Sequence, residues 1–344
     1  MEQAGFSVEA NQAAFSTAID ALVAGMMRHR DETAAIAELP GCPSLDALGT
    51  MFGLSAFERG LALLCAAVEL DPRVGAICAE TTDRGAFPYP SFGYALSLLP
   101  QPHWSALGPE SPLRRWKILN PGVAPELPLS MRPLSIDERV LGFLIGVQQP
   151  SAAFQGMVSA VGGEGALFPS HATVPGGVGA GRAGSPPSPP ATFQSPPATL
   201  LIGDDREAMR AIAAASCGRL GLGLLEMPAD AIPATPGERA TLARLWERES
   251  ALSNAALYID ALEPDGALAS ISRFVDTLSS PLLLGLSEPL RGVRRSSITL
   301  LVRRPTAAEQ RDLWRTHLGP TAIGLNGQVD RLAAQFDLTR IAIR

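Results

Sequence analysis

The chain is short of several residue types, and each shortage excludes something. Of its 28 basic residues only one, Lys117, is a lysine. Phosphate chemistry that depends on an ammonium group therefore has a single residue to draw on. Four histidines (His29, His103, His171, His317) lie far apart, with no HExxH or other metal-ligand spacing. No metal site and no Ser-His-Asp arrangement is expected from them. Four cysteines (Cys42, Cys65, Cys78, Cys217) form no CxxC pair, and three are flanked by Ala, Leu or Ile. That pattern suits buried free thiols in a reducing cytosol rather than a disulfide frame or zinc knuckle. Charged residues are only 18% of the chain, below the ~25% of an average globular protein. No basic n-region follows Met1, and no apolar run approaches ~18 residues. Secretion and membrane spanning are not expected, and a cytoplasmic location is.

What is present suffices for folded cores. Apolar residues make up 46% of 344 positions, a length that suggests two domains or more. Residues 1–150 hold 10 Lys+Arg against 16 Asp+Glu, and the remainder holds 18 of each, so the whole net charge of -6 falls on the N-terminal part. Between the two lies PSHATVPGGVGAGRAGSPPSPPATFQSPP, from Pro169 to Pro197, which is rich in Gly, Pro and Ser and poor in aliphatic anchors. Such a segment cannot bury enough surface to offset the ordering of its backbone. Joined to the weakly patterned stretch before it, it predicts a flexible linker over 151–197.

In the N-terminal part, Phe15, Ile19, Leu22, Val23 and Met26 recur at helical spacing and predict one helix over 8–38. A second helix opens at Ser44 and breaks at Gly53. Ser55 and Glu58 form a capping box for a third, which ends at Asp71-Pro72. Further helices are expected from Ser91, near His103-Trp104-Ser105, and from Ser135-Ile136-Asp137-Glu138. Trp116–Leu119 and Leu129–Leu134 are expected to pair as strands. Helices followed by a small hairpin describe a winged helix over 1–150. DNA reading by the third helix is disfavoured, because it holds one basic residue, Arg59, against Glu58 and Glu69. Arg114, Arg115 and Lys117 are the only basic cluster there, and protein contact is the preferred role.

In the C-terminal part, apolar strands at 198–202, 222–225, 255–259, 281–284 and 298–302 alternate with helical segments. That alternation implies a three-layer α/β fold with a parallel sheet. The strand–Gly203–helix junction is where a phosphate loop would sit. Laid on it, the G-x-x-x-x-G-K-[ST] template places its first glycine at Gly203 but its second at Ala208, its lysine at Met209 and its hydroxyl at Arg210. Asp204 and Asp205 add negative charge to the turn. A Walker B strand ends in the metal-type aspartate Asp260, but the next position, where the catalytic glutamate belongs, is Ala261. ATP hydrolysis is therefore not expected, and nucleotide binding at Gly203, Ala208, Met209, Arg210, Asp260 and Ser287 would be degenerate.

Several long runs carry a resemblance. LSAFERGLALLCAAVELDPRVGAICAE, YPSFGYALSLL, HWSALGPESPLRRWKIL and RPLSIDERVLGFLIG resemble the N-terminal winged-helix region of bacterial AAA+ ATPases associated with contractile injection systems. LVRRPTAAEQRDLWRTHLG and AAQFDLTRIAIR are similar to parts of the first AAA module of that family. The resemblance spans nearly all of the chain except the linker. It implies a degenerate P-loop NTPase-like AAA core over 198–304 and the start of a helical lid over 305–344. It also implies ATP and Mg²⁺ as the family's cofactors, although none is expected for this chain alone. Ser287 falls at the sensor position and Arg294 and Arg295 at that of an arginine finger, with a solvated basic turn the plainer reading of the pair.

The expectation is a non-catalytic interaction or regulatory part of a AAA+ machine for protein remodelling or assembly. It would have protein partners, form a homo-oligomer through the AAA module, and bind neither nucleic acid nor membrane. Two alternatives remain open at this point. One is an ATP-binding AAA+ ATPase whose active module lies beyond this chain or whose phosphate loop is atypical; the other is a winged-helix DNA-binding regulator. The end at Arg344, inside the lid, suggests a fragment or a truncated relative. In the sheet, the strand at 198–202 is expected to be central, with Asp260 and Ser287 emerging at the same edge as Gly203.

Overall fold

The structure, a computed structural model, describes residues 7–81, 88–147, 149–162, 169–171, 195–263, 266, 268–319 and 327–336. The chain divides into two compact units, with the division between Ala153 and Phe154.

The N-terminal unit begins with α1 (Val8–Glu32), whose buried stripe includes Phe15, Leu22 and Met26. It stops short of the expected Glu38 because Thr33 takes a left-handed φ of 56° and caps the helix through His29 O. The freed strand-like segment then brings Ile36 back onto α1. Ile36 is buried, its amide donates to Leu98 O at 2.8 Å, and a Cβ on Gly25 would lie 2.6 Å from its side chain. Packing here overrides helical periodicity. Next, α2 (Pro43–Phe52) ends at left-handed Gly53, and α3 (Ala56–Leu70) starts on the expected reciprocal box of Ser55 and Glu58.

The sequence reading missed α4 (Pro72–Thr81). Pro72 terminates α3 yet is tolerated in the first turn of the helix that follows, so one residue both stops and starts. Then come α5 (Phe92–Leu98), a 3₁₀ turn at Trp104–Leu107 and α6 (Pro112–Arg115). The hairpin strands are β1 (Leu119–Pro121) and β2 (Leu134–Ile136), antiparallel with Leu119 opposite Ile136. Both lie later than expected, because 112–115 is helical and 129–131 is a 3₁₀ turn. Last is α7 (Glu138–Ile145), capped by Asp137. Buried Asn11 ties three of these helices together: its Nδ2 donates to Leu144 O at 2.8 Å and its Oδ1 accepts from Ser44 N at 3.0 Å. These bonds satisfy backbone groups at a helix start and a helix end that would otherwise be orphaned.

Among the described residues, the C-terminal unit holds a six-stranded sheet in the order β3-β5-β6-β7-β4-β8. Its strands are β3 (Ser159–Ala160), β4 (Ala198–Ile202), β5 (Gly223–Pro228), β6 (Ala255–Ala261), β7 (Leu282–Leu286) and β8 (Ser297–Leu301). Only β3 is antiparallel to its neighbour. The strand β4 lies between β7 and β8, one place in from the edge rather than central as expected. One face of the sheet buries Leu200, Ile259 and Leu284 with Trp246 of α9 (Pro236–Ser253) and Phe274 of α10 (Leu268–Thr277). The other buries Leu201, Tyr258 and Leu283 with Met209 and Ile212 of α8 (Arg206–Arg219). Burial on both faces is why these strands read as continuous apolar runs. After the sheet come α11 (Ala307–Leu318), with the expected Thr306/Glu309 capping box, and α12 (Gln328–Gln335), in the segment expected to start a helical lid.

The linker expected over 151–197 is corrected at its start. Phe154 is buried edge-on to Trp246, with ring centroids 5.8 Å apart, and Ser159–Ala160 pairs with β5. Further on, Ser170 donates from its amide and hydroxyl to the two carboxylate oxygens of Glu309, at 2.7 and 2.8 Å. His171 donates from Nε2 to Arg303 O at 2.7 Å. Burial opposes ionisation of Glu309, but the hydrogen bonds from Ser170 and Thr306 outweigh it and hold its pKa below the usual value. Sparse apolar residues, Phe154 and Val161 among them, were enough to anchor what looked like tether. Residues 172–194 of the expected linker lie outside those described.

Limited proteolysis should therefore nick the Gly/Pro/Ser-rich stretch 172–194 without separating the two pieces. Residues 154–171 belong to the C-terminal unit, so the fragments should co-elute in native size exclusion and part in denaturant. Phe154→Ala, which removes a buried aromatic at a cost of about 3–5 kcal/mol, should let them separate under milder conditions. Immediate separation of the unmodified nicked protein would contradict this packing.

Candidate functional site

The carboxyl ends of the parallel strands form the edge where ligand sites of open α/β sheets gather. Register places the residues read from the sequence there. Ile202 lies opposite both Leu286 and Leu301, and Asp260 lies opposite Gly285. Gly203, Asp260 and Ser287 therefore emerge at one edge, as expected. Gly203 donates its amide to Leu286 O at 2.9 Å. A Cβ on it would sit 2.5 Å from Val302 O, so glycine is required by the close approach of the chain leaving β8.

The turn between strand and helix is short. With β4 ending at Ile202 and α8 beginning at Arg206, only Gly203, Asp204 and Asp205 connect them. A phosphate cradle needs an open loop of backbone N–H groups between its glycines, and here the matching residues already lie in the helix. Ala208, in the second-glycine position, donates its amide to Asp205 Oδ1 at 3.0 Å. Met209, in the lysine position, is fully buried in the core beneath α8. Arg210, in the hydroxyl position, pairs with Glu226 of β5. A buried thioether and an arginine held by a carboxylate supply none of the chemistry that a triphosphate and its metal require.

The acidic residues of the turn are engaged as well. Asp205 is the N-cap of α8 and only 2% exposed, and its Oδ2 is buried with no hydrogen-bond partner among the described residues. Asp204 accepts from Arg304 Nε at 2.9 Å, which lowers its pKa. Arg206 Nε stands 2.7 Å from Asp260 Oδ2. Burial raises the pKa of Glu226, against the opposing pull of Arg210. Burial likewise raises that of Tyr258, whose hydroxyl lies beside Gly285 with no hydrogen-bond partner among the described residues. The residues fit neither ATP nor Mg²⁺.

Of the arginine-finger pair, Arg295 is built into the fold. Its guanidinium donates to Pro196 O, Leu278 O and Ser280 O, the Leu278 bond being 2.9 Å and the shortest Pro196 bond 2.6 Å. These carbonyls precede β4 and β7, so Arg295 sits at the opposite edge of the sheet from Gly203. Burial lowers its pKa. Arg294 is exposed, with its amide bonded to Asp276.

Two partners were not found from the sequence. Arg304 lies 100 positions from Asp204, and no local pattern joins them. Glu226 did leave a signal, a lone acid within an otherwise apolar strand.

In the N-terminal unit, α3 is buried along most of its length. Phe57, Glu58 and Gly60 to Ala67 are all buried, and Arg59 pairs with Asp46 at 2.9 Å. The basic cluster is partly engaged too. Arg114 donates to Leu107 O at 2.6 Å, and Arg115 lies over the Trp116 ring at 5.3 Å. Exposed apolar side chains stand out instead: Trp104 is 72% and Val123 99% accessible. Among the described residues no helix is long and apolar enough to cross a membrane, and no His/Cys/Asp/Glu group is placed to hold a metal.

Comparison with known proteins bears out the resemblance at both ends of the chain. Residues 1–158 match the family model of a variant winged helix domain. Residues 306–344 match that of the contractile injection system ATPase helical domain. No protein of curated function matches the chain. Among solved structures, that of Rhizobiales Trip13 aligns at 20% identity and a TM-score of 0.27, over 43% of this chain and 62% of that one. The chain thus spans less than two thirds of the length of that structure.

The two arginines should separate on substitution. Arg295→Ala leaves buried carbonyls without donors and should cost about 2–3 kcal/mol in chemical denaturation. Arg294→Ala should stay within about 0.5 kcal/mol. Equal, small effects would show that the Arg295 contacts are not formed.

Proposed function

We propose that this chain is a non-catalytic interaction or regulatory part of a AAA+ machine that assembles or remodels protein, in the setting of a contractile injection system. The match of its lid to the helical domain of such ATPases supports the setting. The observation that carries the non-catalytic role is the carboxyl edge of the sheet. Its helix start is capped by Asp205, its Walker B aspartate Asp260 pairs with Arg206, and Arg210 pairs with Glu226.

The same geometry weighs against an arginine-based phosphate site. Arg206 and Arg210 are the only cations on the first turns of α8, and each is held by a carboxylate of the sheet. A triphosphate would have to break both pairs and face Asp205 at the helix N-terminus. The reading of the winged helix as a protein-docking module rests on the burial of α3 and on the exposed Trp104 and Val123. A DNA-reading helix needs accessible cations, and α3 offers one, Arg59, in an ion pair. Self-association through the C-terminal unit is part of the proposal, by analogy with AAA+ assemblies.

Titration of the full chain with labelled ATP and Mg²⁺ tests the reading. No phosphate release above background is expected, and no binding tighter than about 1 mM, an affinity worth only ~4 kcal/mol. Micromolar binding abolished by Arg210→Ala would replace this proposal with a nucleotide site in which arginine serves for lysine.

A further inference from the structure

We infer that the nucleotide site of the C-terminal unit is plugged from within, its anion place held by Asp205 and its cation place by Arg206. A third contact, Arg304 to Asp204, pins the chain entering the lid against the same turn. This rests on the reading of the unit as a AAA-type module. It goes beyond the loss of the lysine, because it says why the site does not bind even a simple anion or metal ion.

The start of a helix of this length is an anion-binding place, where the first N–H groups point outward and the helix dipole favours negative charge. In this chain the anion is built in. The Asp205 carboxylate caps α8 through Ala208 N at 3.0 Å. It is 2% exposed, and its second oxygen is buried without a hydrogen-bond partner among the described residues. An incoming phosphate would meet a fixed negative charge at the point where it needs donors.

The cation place is filled in the same way. Asp260, the penultimate residue of β6, stands at the Walker B position assigned to metal binding, and its side chain is 14% exposed. Arg206 Nε lies 2.7 Å from its Oδ2. A guanidinium neutralises the carboxylate and takes the lone pairs that would ligate a divalent ion.

The lid linker completes the closure. Arg304, between β8 and α11, donates from Nε to Asp204 Oδ2 at 2.9 Å. Just before it, Val302 N donates to Ile202 O at 2.7 Å, and Val302 O lies 2.5 Å from where a Gly203 Cβ would be. On the other side of the linker, His171 holds Arg303 O and Ser170 holds Glu309. Nucleotide is not needed to bring lid and sheet together, since side chains of the unit already do so.

Single substitutions should open each place. Thermal unfolding of the full chain would be followed with inorganic phosphate, with Mn²⁺ and with ADP·Mg²⁺, each added separately. Wild type should show no shift with any of them. Asp205→Asn keeps an N-cap while removing the charge, and should gain a phosphate-dependent rise of about 3–5 °C at tenfold over Kd. Arg206→Gln releases Asp260 and should gain a rise of similar size with Mn²⁺. Asp205→Ser is the substitute if Asp205→Asn does not fold by circular dichroism, and Arg206→Met if Arg206→Gln does not. A gain in either variant, with wild type flat, supports the plug. Folded variants that stay as flat as wild type overturn it and leave the non-catalytic reading standing. A shift of wild type with ADP·Mg²⁺ would overturn both.

Discussion

The turn Gly203-Asp204-Asp205 sets the terms for the C-terminal unit. Because only three residues separate the end of β4 from the start of α8, the helix start closes on the Asp205 side chain through Ala208 N. That early start puts Met209 beneath the helix in the core and directs Arg206 and Arg210 onto the acids of β6 and β5. The positions that a nucleotide-binding relative devotes to phosphate and metal are here part of the packing and charge balance of the unit itself. Withdrawing a charge from water is costly unless it is paired or hydrogen-bonded. Asp260 and Glu226, partly withdrawn from water, take their cations from α8, Arg206 and Arg210.

The same economy of partners runs through the lid junction. Glu309 closes the capping box of α11 and also accepts both hydrogen bonds from Ser170. Helix initiation, lid attachment and the end of the chain segment before 172 thus share one carboxylate. With Phe154 seated on Trp246 and β3 paired to β5, residues that precede the Gly/Pro/Ser-rich stretch contribute to the core that follows it. The covalent order of the chain and the boundary of its folded units do not coincide.

In the N-terminal unit the organising element is α3, which is buried along nearly its whole length. A winged-helix order of elements usually invites a search for a groove-reading helix. Here the candidate helix is wrapped by its neighbours, and its one basic residue, Arg59, is paired with Asp46. The fold leaves function to its surface, as folds generally do.

Much of this was legible in the residues alone. Capping boxes at Ser55/Glu58 and Thr306/Glu309, the two-faced apolar strands and the missing lysine are local facts, and short-range physics is enough to read them. Their helices and strands lie where those patterns put them, and Gly203, Asp260 and Ser287 share an edge because parallel strands align their ends. The stop of α1 at Glu32, the existence of α4, the anchoring of 154–171 and the partners of Asp204, Arg206 and Arg210 were decided only by the tertiary structure. Each depends on groups brought together from far apart in sequence: Ile36 on Gly25 and Leu98, Phe154 on Trp246, Arg304 on Asp204. Sequence by itself determined which chemistry was missing at the carboxyl edge. What fills that edge instead was settled by charge pairing across strands, because a carboxylate withdrawn from water takes whichever cation the fold delivers to it.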